Sequence, residues 1–374
     1  TLRVGPLVEA VEEMGMPMVL ISEARDMKSH GLIWDEVRET VAKRPAPTGR
    51  ALASAEAEFP SPVRVTKESD RFIPTSVDRP ITFSNIDKVF FPDPGYTKGD
   101  LIQYYASVAP LLLPHLGGRP ISMSRYPDGV TGPSFYEKRA PGHQPDWMKT
   151  TQVPSDSQGG VIDFLVADST EALMWFANMG CVEFHPFHST TAGLDLPTYA
   201  IFDFDPAEGS SWEQVTGAAK LLHLALGQLG LVGYPKLSGS RGLHVYVPLD
   251  PVHTHARVRR FVGEVGEYLA AANPDDITME WDKPKRKGKV FVDHNRNAFG
   301  QTVASVYSVR PRSGAPVAVP LMWDEVGEVA NGDFTIVDVW DRFQRYGDLF
   351  APVTEGGQTL DAAEAALGIE PEAG

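Results

Sequence analysis

The octapeptide YAIFDFDP, residues 199–206, constrains this chain more than any other stretch. Its apolar and aromatic residues read as a buried strand, yet it carries Asp203 and Asp205. Side chains alternate faces along a strand, so residues two apart point the same way, roughly 7 Å from each other. Two carboxylates on one face repel and resist burial unless a cation or a shared proton neutralises them. A divalent metal is the natural remedy. A capped turn is the competing reading, because Pro206 and Gly209 signal a turn directly after the strand.

The chain has 374 residues, of which 42% are hydrophobic, enough for about two domains with sizeable cores. No run of 18 apolar residues occurs, and the first residues, TLRVGPLVEA, lack a basic start with an apolar h-region, so neither a membrane span nor a secretory signal is expected. The single cysteine, Cys181, excludes an internal disulfide and fits a reducing cytoplasm; by itself it reads as a small buried hydrophobe. A net charge of −15 argues at first against a polyanionic partner, but the charge is uneven: residues 321–374 hold 12 acidic residues against two arginines. The stretch KPKRKGK, Lys283 to Lys289, places five cations in seven residues. Local clustering is what matters for nucleic acid, since screening limits each field to about 10 Å.

Residues 4–44 show helix-like stretches around VEAVEEM and WDEVRETVAK, and 45–62 form a Pro/Ala/Ser-rich linker, so residues 1–62 read as an N-terminal extension. From residue 76 the pattern mixes helices and strands. KGDLIQYYASVAPLLLPHL, STEALMWFANMG, SWEQVTGAAKLLHLALGQLG and HARVRRFVGEVGEYLAAAN carry helical periodicity; RPISMSRYP, CVEFHPF, YAIFDFDP and KVFVDHN read as strands, and YPKLSGSRGLHVYVPL as two strands around a glycine turn. No regular βαβ period appears, so α+β fits better than a doubly wound sheet. The expected boundaries are a catalytic domain over 76–350 and an acidic tail over 351–374.

Three further motifs accompany the aspartate pair. In KVFVDHNRN, Asp293 ends a short apolar strand, and a third carboxylate is what a two-metal site requires. In SGSRGLHVYVP, the small residues around Ser238 let backbone N–H groups approach a phosphate, with Arg241 and His244 alongside; an ordinary hairpin turn is the competing reading, and the Lys-Ser/Thr of a P-loop is missing. In VEFHPFHS, His185 and His188 lie three apart without zinc-type partners, so a substrate-contacting or structural histidine is the better reading.

FDFDP, then SGSRGLH 35 residues later, then VFVDHNRN, with CVEFHPF 18 residues before the first aspartate, together resemble the polymerase domain of bacterial ligase D, in the archaeo-eukaryotic primase superfamily. The resemblance spans about Ile81 to Trp323. It implies a primase-polymerase core of mixed and antiparallel sheets flanked by helices, with a small N-terminal appendage. It further implies that Asp203, Asp205 and Asp293 bind two Mn²⁺ or Mg²⁺ ions for nucleotidyl transfer, and that His185, Ser238, Arg241, His244, Arg296 and Arg310 contact the incoming NTP or dNTP. Arg241 stands where many relatives have lysine, which keeps the charge and changes the geometry. Lys88 and Lys98 look like the pair that holds a DNA 5′-phosphate, and Phe135 and Tyr136 like the aromatic pair against the template base, with Lys138 and Arg139 beside them.

The activity that the resemblance implies is templated filling of short gaps or broken ends in DNA repair, by a bacterial, nucleoid-associated protein that prefers ribonucleotides and manganese and works with a DNA ligase or end-binding partner. No Lys-x-Asp-Gly ligase motif occurs, so a stand-alone polymerase unit is expected. The KPKRKGK loop, with Lys285, Arg286 and Lys287 at its centre, is expected to touch the DNA backbone. Two alternatives are a haloacid-dehalogenase-type phosphatase, whose strand also ends in Asp-x-Asp, and a DNA-end-binding scaffold without catalysis.

Overall fold

A computed structural model describes residues 65–68, 71–74, 79 and 81–370 apart from 156–158. The N-terminal extension over 1–62 lies outside the described residues. The elements in chain order are β1 (Val65–Glu68), β2 (Arg71–Pro74), β3 (Val89–Phe91), β4 (Tyr96–Thr97), α1 (Lys98–Leu116), β5 (Ile121–Arg125), β6 (Phe135–Glu137), β7 (Lys149–Ser155), β8 (Gly160–Val166) and α2 (Thr170–Asn178). They continue with β9 (Cys181–Pro186), β10 (Ser189–Thr190), β11 (Gly193–Pro197), β12 (Tyr199–Pro206), α3 (Trp212–Gln228), β13 (Tyr234–Leu237), β14 (Leu243–Pro248), α4 (His255–Ala272), β15 (Ile277–Thr278), β16 (Val290–Val292), α5 (Trp340–Tyr346) and α6 (Pro352–Glu355). A last helix, α7 (Asp361–Leu367), lies outside the compact unit Pro60–Leu360 that holds the other elements.

The fold is α+β, as the mixed pattern predicts. One five-stranded sheet runs β13-β14-β12-β16-β15, antiparallel except for the β15–β16 pair. The second sheet is antiparallel and centres on β5, which pairs with β6, β8 and β9, while β7 pairs with β8. The β7–β8 hairpin carries no counterpart in the sequence reading. Helix starts follow local chemistry: Thr97 and Asp100 form a capping box at α1, Ser169 caps α2, and Ser211 with Gln214 forms a capping box at α3.

Helices α3 and α4 cover one face of the five-stranded sheet. A methyl group at Gly233 would meet Leu226 of α3 and Val245 of β14, and one at Gly266 of α4 would meet Val292 of β16. Val245 pairs with Phe202 and therefore shares its face. Phe202 and Phe204 are fully buried on that side, which contributes about 1.5–3 kcal/mol each. Alternation then turns Asp203 and Asp205 to the other face, the one free of these helices.

The chain from Ser305 to Pro320 has little regular structure and ties the two sheets together. Ser305 donates its N–H to the Phe184 carbonyl of β9, and Leu237 of β13 donates to the Val319 carbonyl. Tyr104 and Tyr105 of α1 lock this segment from beneath, through hydrogen bonds to the Tyr307 carbonyl at 2.9 Å and from the Val309 N–H at 2.9 Å. The stretch read as an acidic tail starts with α6, and Gln358 beyond it donates to the Val232 and Pro248 carbonyls.

Candidate active site

Strand register aligns a row of ionisable groups across the five-stranded sheet. Lys236 on β13 pairs with His244 on β14, and His244 pairs with Asp203 on β12. Asp293, one residue past β16, donates its N–H to the Asp203 carbonyl at 2.9 Å. Directly paired residues point to the same face, so Lys236, His244, Asp203 and Asp293 form one line, with Asp205 beside it. The sequence motifs that carry these residues lie far apart in the chain and meet only through this register.

Two glycines make the arrangement possible. A side chain at Gly242 would sit 2.4 Å from the Phe204 carbonyl oxygen of β12, so only glycine lets β14 approach the aspartate strand there. Gly239 holds φ at +70°, and a side chain on it would meet Arg310 at 2.7 Å. Just before them, Ser238 Oγ accepts the N–H groups of Ser240 and Gly242 at 3.2 and 3.0 Å. Its own proton is therefore left to donate.

Where β16 ends, Asn297 takes over as a substitute strand. Its Oδ1 accepts the Ile201 N–H and its Nδ2 donates to the Ile201 carbonyl, both at 2.8 Å, in a site 1% exposed. Asn297→Ala is expected to leave both backbone groups of β12 unpaired and lower unfolding free energy by about 2–3 kcal/mol, measurable by urea denaturation.

The electrostatics of the row are uneven. Burial opposes ionisation of Asp203, but His244, with Nε2 3.3 Å from Oδ1, and Arg296 hold its carboxyl below the ordinary value. Burial and the neighbouring Asp203 push Asp205 up, and burial likewise raises Asp293. Burial and the charge of Lys236 bring His244 down to about 4, and burial brings Lys236, fully enclosed and without a hydrogen-bond partner, to about 7. Arg296 lies between two of the carboxylates, its Nε 3.4 Å from Asp203 Oδ2 and 3.1 Å from Asp293 Oδ2, without an aligned hydrogen bond to either.

Among the described residues no three His, Cys, Asp or Glu side chains are gathered into a ready chelating cluster. The chemistry of the donor set nonetheless fits a divalent ion: three hard carboxylates share one face, two of them pushed up by burial, and a guanidinium beside Asp203 and Asp293 now supplies the positive charge. The Arg296 side chain is itself 38% exposed.

A second group comes from the other sheet. Arg310 Nε donates to Glu183 Oε1 at 2.5 Å, and its Nη1 donates to the Ser238 carbonyl, so one arginine joins β9 to the glycine turn. His185 stands 3.5 Å from Glu183 Oε2 and packs edge-on against Tyr136, ring centroids 5.4 Å apart. Arg241 is exposed, and its charge acts on Asp205. His188, fully buried, packs on Tyr199 and takes no part in this cluster. Sequence reasoning passed over Glu183 and Lys236. The spacing of Glu183 and His185, two apart on a strand, is the same signal that singled out the aspartate pair.

The remaining residues lie around the rim. Phe135 and Tyr136 are 58% and 51% exposed and line an open depression of about 410 Å³ with Arg125, Pro127 and Glu137; Lys138 beside them is exposed. The β3–β4 hairpin brings Lys88 and Lys98 together, with the Lys98 N–H on the Lys88 carbonyl at 2.8 Å. Lys88 Nζ bonds the Pro127 carbonyl and Asp128, while Lys98 Nζ donates to the Ser84 carbonyl at 2.6 Å. Burial and the Lys88 charge lower Lys98 to about 8. In the basic loop Lys285 and Lys287 are exposed, whereas Arg286 is engaged internally: its Nε donates to the Glu280 carbonyl at 2.7 Å and its Nη2 to the Trp281 carbonyl.

The profile of the family described as LigD, primase-polymerase domain, matches residues 97–350. The multifunctional non-homologous end joining protein LigD of Mycolicibacterium smegmatis is 34% identical over 283 residues, covering 75% of this chain and 37% of that protein. The bifunctional non-homologous end joining protein LigD of Bacillus subtilis is 33% identical over 270 residues, covering 71% of this chain and 43% of that protein. Among solved structures, the polymerase domain of Mycobacterium tuberculosis ligase D in complex with DNA superposes with a TM-score of 0.69 at 33% identity, covering 74% of this chain and 99% of that one. The chain belongs to the LigD primase-polymerase domain family. It spans less than half the length of these curated relatives. Among the described residues no helix is long and apolar enough to cross a membrane.

Proposed function

We propose that this protein is a template-dependent nucleotidyltransferase that extends a primer strand across short gaps or at broken DNA ends in bacterial non-homologous end joining. The observation that carries the reading is the row Lys236–His244–Asp203–Asp293 with Asp205 beside it, in a chain of the LigD primase-polymerase family. Asp203, Asp205 and Asp293 would hold two Mn²⁺ or Mg²⁺ ions, which supply Lewis-acid activation of the primer hydroxyl and charge stabilisation of the leaving pyrophosphate. The Ser238 proton, Arg241, Arg310 and the backbone of the glycine turn would bind the triphosphate of an NTP or dNTP, and His185 would contact the same nucleotide. His244 positions Asp203 through its Nε2, and Arg296, beside Asp203 and Asp293, would supply positive charge to a phosphate there.

Phe135 and Tyr136 supply stacking surface for the template base, with Lys138 on the adjoining backbone. Lys88 and Lys98 hold a 5′-phosphate across the gap; a phosphate dianion would oppose the lowering that burial and Lys88 impose on Lys98. The preference for ribonucleotides, a nucleoid location and recruitment by a ligase or an end-binding protein complete the reading. Extension of a primer over a one-nucleotide gap, with and without a 5′-phosphate and with each ribo- or deoxyribonucleotide, tests it. Templated addition that is stimulated by the phosphate is expected; no addition on any primed DNA would overturn it.

The basic loop is expected to split by residue. Serines at Lys283, Lys285 and Lys287 should weaken DNA binding and reduce the slope of log affinity against log salt by about two to three units, since each lysine contributes through counterion release. Arg286→Ser should instead loosen the loop, because its guanidinium holds the 280–281 backbone.

A further inference from the structure

Trp281 is 65% exposed, more than any other tryptophan among the described residues. Its surroundings fix its position. Phe291 of β16 pairs with Asp205, so its ring lies on the carboxylate face of the sheet. The Arg286 guanidinium carbon sits 3.5 Å from the centre of the Phe291 ring and 5.4 Å from the Trp281 ring. Trp281 and Phe291 meet edge to face at 6.1 Å and 72°. With Arg286 also bonded to the carbonyls of residues 280 and 281, the indole is held in place rather than left on a loose loop. A large apolar ring that is held in place yet about two-thirds exposed has the form of a contact surface.

The charge around it indicates the contact. Lys283, Lys285 and Lys287 are exposed on the same loop. The pairs Lys285–Glu280 at 3.6 Å and Lys287–Glu208 at 3.9 Å are solvent-exposed and weak, so these ammonium groups can exchange carboxylate for phosphate. The strand order β13-β14-β12-β16-β15 puts this cluster across the carboxylates from the glycine turn around Ser238. An aromatic ring with cations beside it fits a nucleotide, its base on the indole and its phosphates on the lysines. A paired base in duplex DNA has both faces covered by its neighbours; an unpaired one does not.

We propose that Trp281 is a stacking platform for an unpaired nucleobase of a single-stranded DNA extension, held next to the carboxylate row by the Arg286–Phe291 support. The platform guides a protruding strand end past the catalytic face and favours DNA with extensions over blunt duplex. This rests on the polymerase reading for its biological purpose, but its test needs neither catalysis nor metal.

The test uses the full chain, without nucleotide or divalent ions, and a duplex whose single-stranded extension carries 2-aminopurine, beside the same duplex blunt. The wild type is expected to quench the 2-aminopurine. Trp281→Ala should lose the quenching and bind the extended duplex about tenfold more weakly, with blunt-duplex affinity unchanged; Trp281→Phe should keep most of both. Equal binding and quenching by wild type and Trp281→Ala would overturn the proposal, as would an equal loss on blunt duplex. A wild type that quenches but never extends a primer would count against the polymerase reading alone.

Discussion

Asp205→Asn is expected to reduce templated nucleotide addition at least about a thousandfold while leaving the unfolding temperature equal or higher. The two effects have one cause. Asp203 and Asp205 share a face at two-residue spacing, and burial together with Asp203 pushes the Asp205 carboxyl up. A neutral amide removes the repulsion, which relieves the folded chain. It also removes a hard anionic ligand, and a metal contribution of several kcal/mol to the transition state corresponds to a rate loss of that size. Single-turnover extension and a thermal melt on the same sample measure both. A variant that melts earlier and keeps its activity would assign Asp205 a structural role.

The second large effect is expected at Arg310. Its guanidinium pairs with Glu183, whose side chain is 8% exposed, and bonds the Ser238 carbonyl. Arg310→Ala strands a buried carboxylate and is expected to lower unfolding free energy by about 3–5 kcal/mol. Burial by itself would raise the Glu183 pKa, but His185 and Arg310 outweigh it and hold the group at about 2. Because the folded value lies below the ordinary 4.5, the pair stabilises fully above about pH 4.5 and loses its effect as pH falls towards 2. Denaturation between pH 3 and 7 should show this slope in the wild type and a shallower one in Arg310→Ala. The double variant Arg310→Ala with Glu183→Gln should recover most of the stability without recovering nucleotide affinity, which separates the structural contact from the phosphate contact.

Much of the fold was legible because its elements carry their own signals. The α1 helix, with Thr97 and Asp100 at its start and Gly117 at its end, and the β12 strand could be read from caps and alternation alone. The β7–β8 hairpin was passed over although Gly159 and Gly160 mark its turn, because β7 is polar and buries only Val153, and β8 buries Ile162, Phe164, Leu165 and Val166 without a clean alternation. The segment from Ser305 to Pro320 has no period to read: its shape comes from backbone bonds to β9, β13 and α1, which only the assembled fold supplies. At the site, the aspartates and the glycine turn were visible as local patterns. The alignment of Lys236 with His244 is a matter of register between strands. Arg286 read as a DNA-binding cation, and its internal partners had no sequence signal: a guanidinium can hold two carbonyls and a ring at once, but which ones is set by the folded loop. Exposure of Trp281 had no sequence signal at all.

The central claim is that Asp203, Asp205 and Asp293 form a two-ion nucleotidyl-transfer site. Titration of the protein with Mn²⁺ in the presence of a non-hydrolysable nucleoside triphosphate, followed by electron paramagnetic resonance, tests it most directly. The account predicts two bound ions per chain in the wild type and loss of at least one in Asp203→Ala. The same stoichiometry and affinity in both proteins would contradict it.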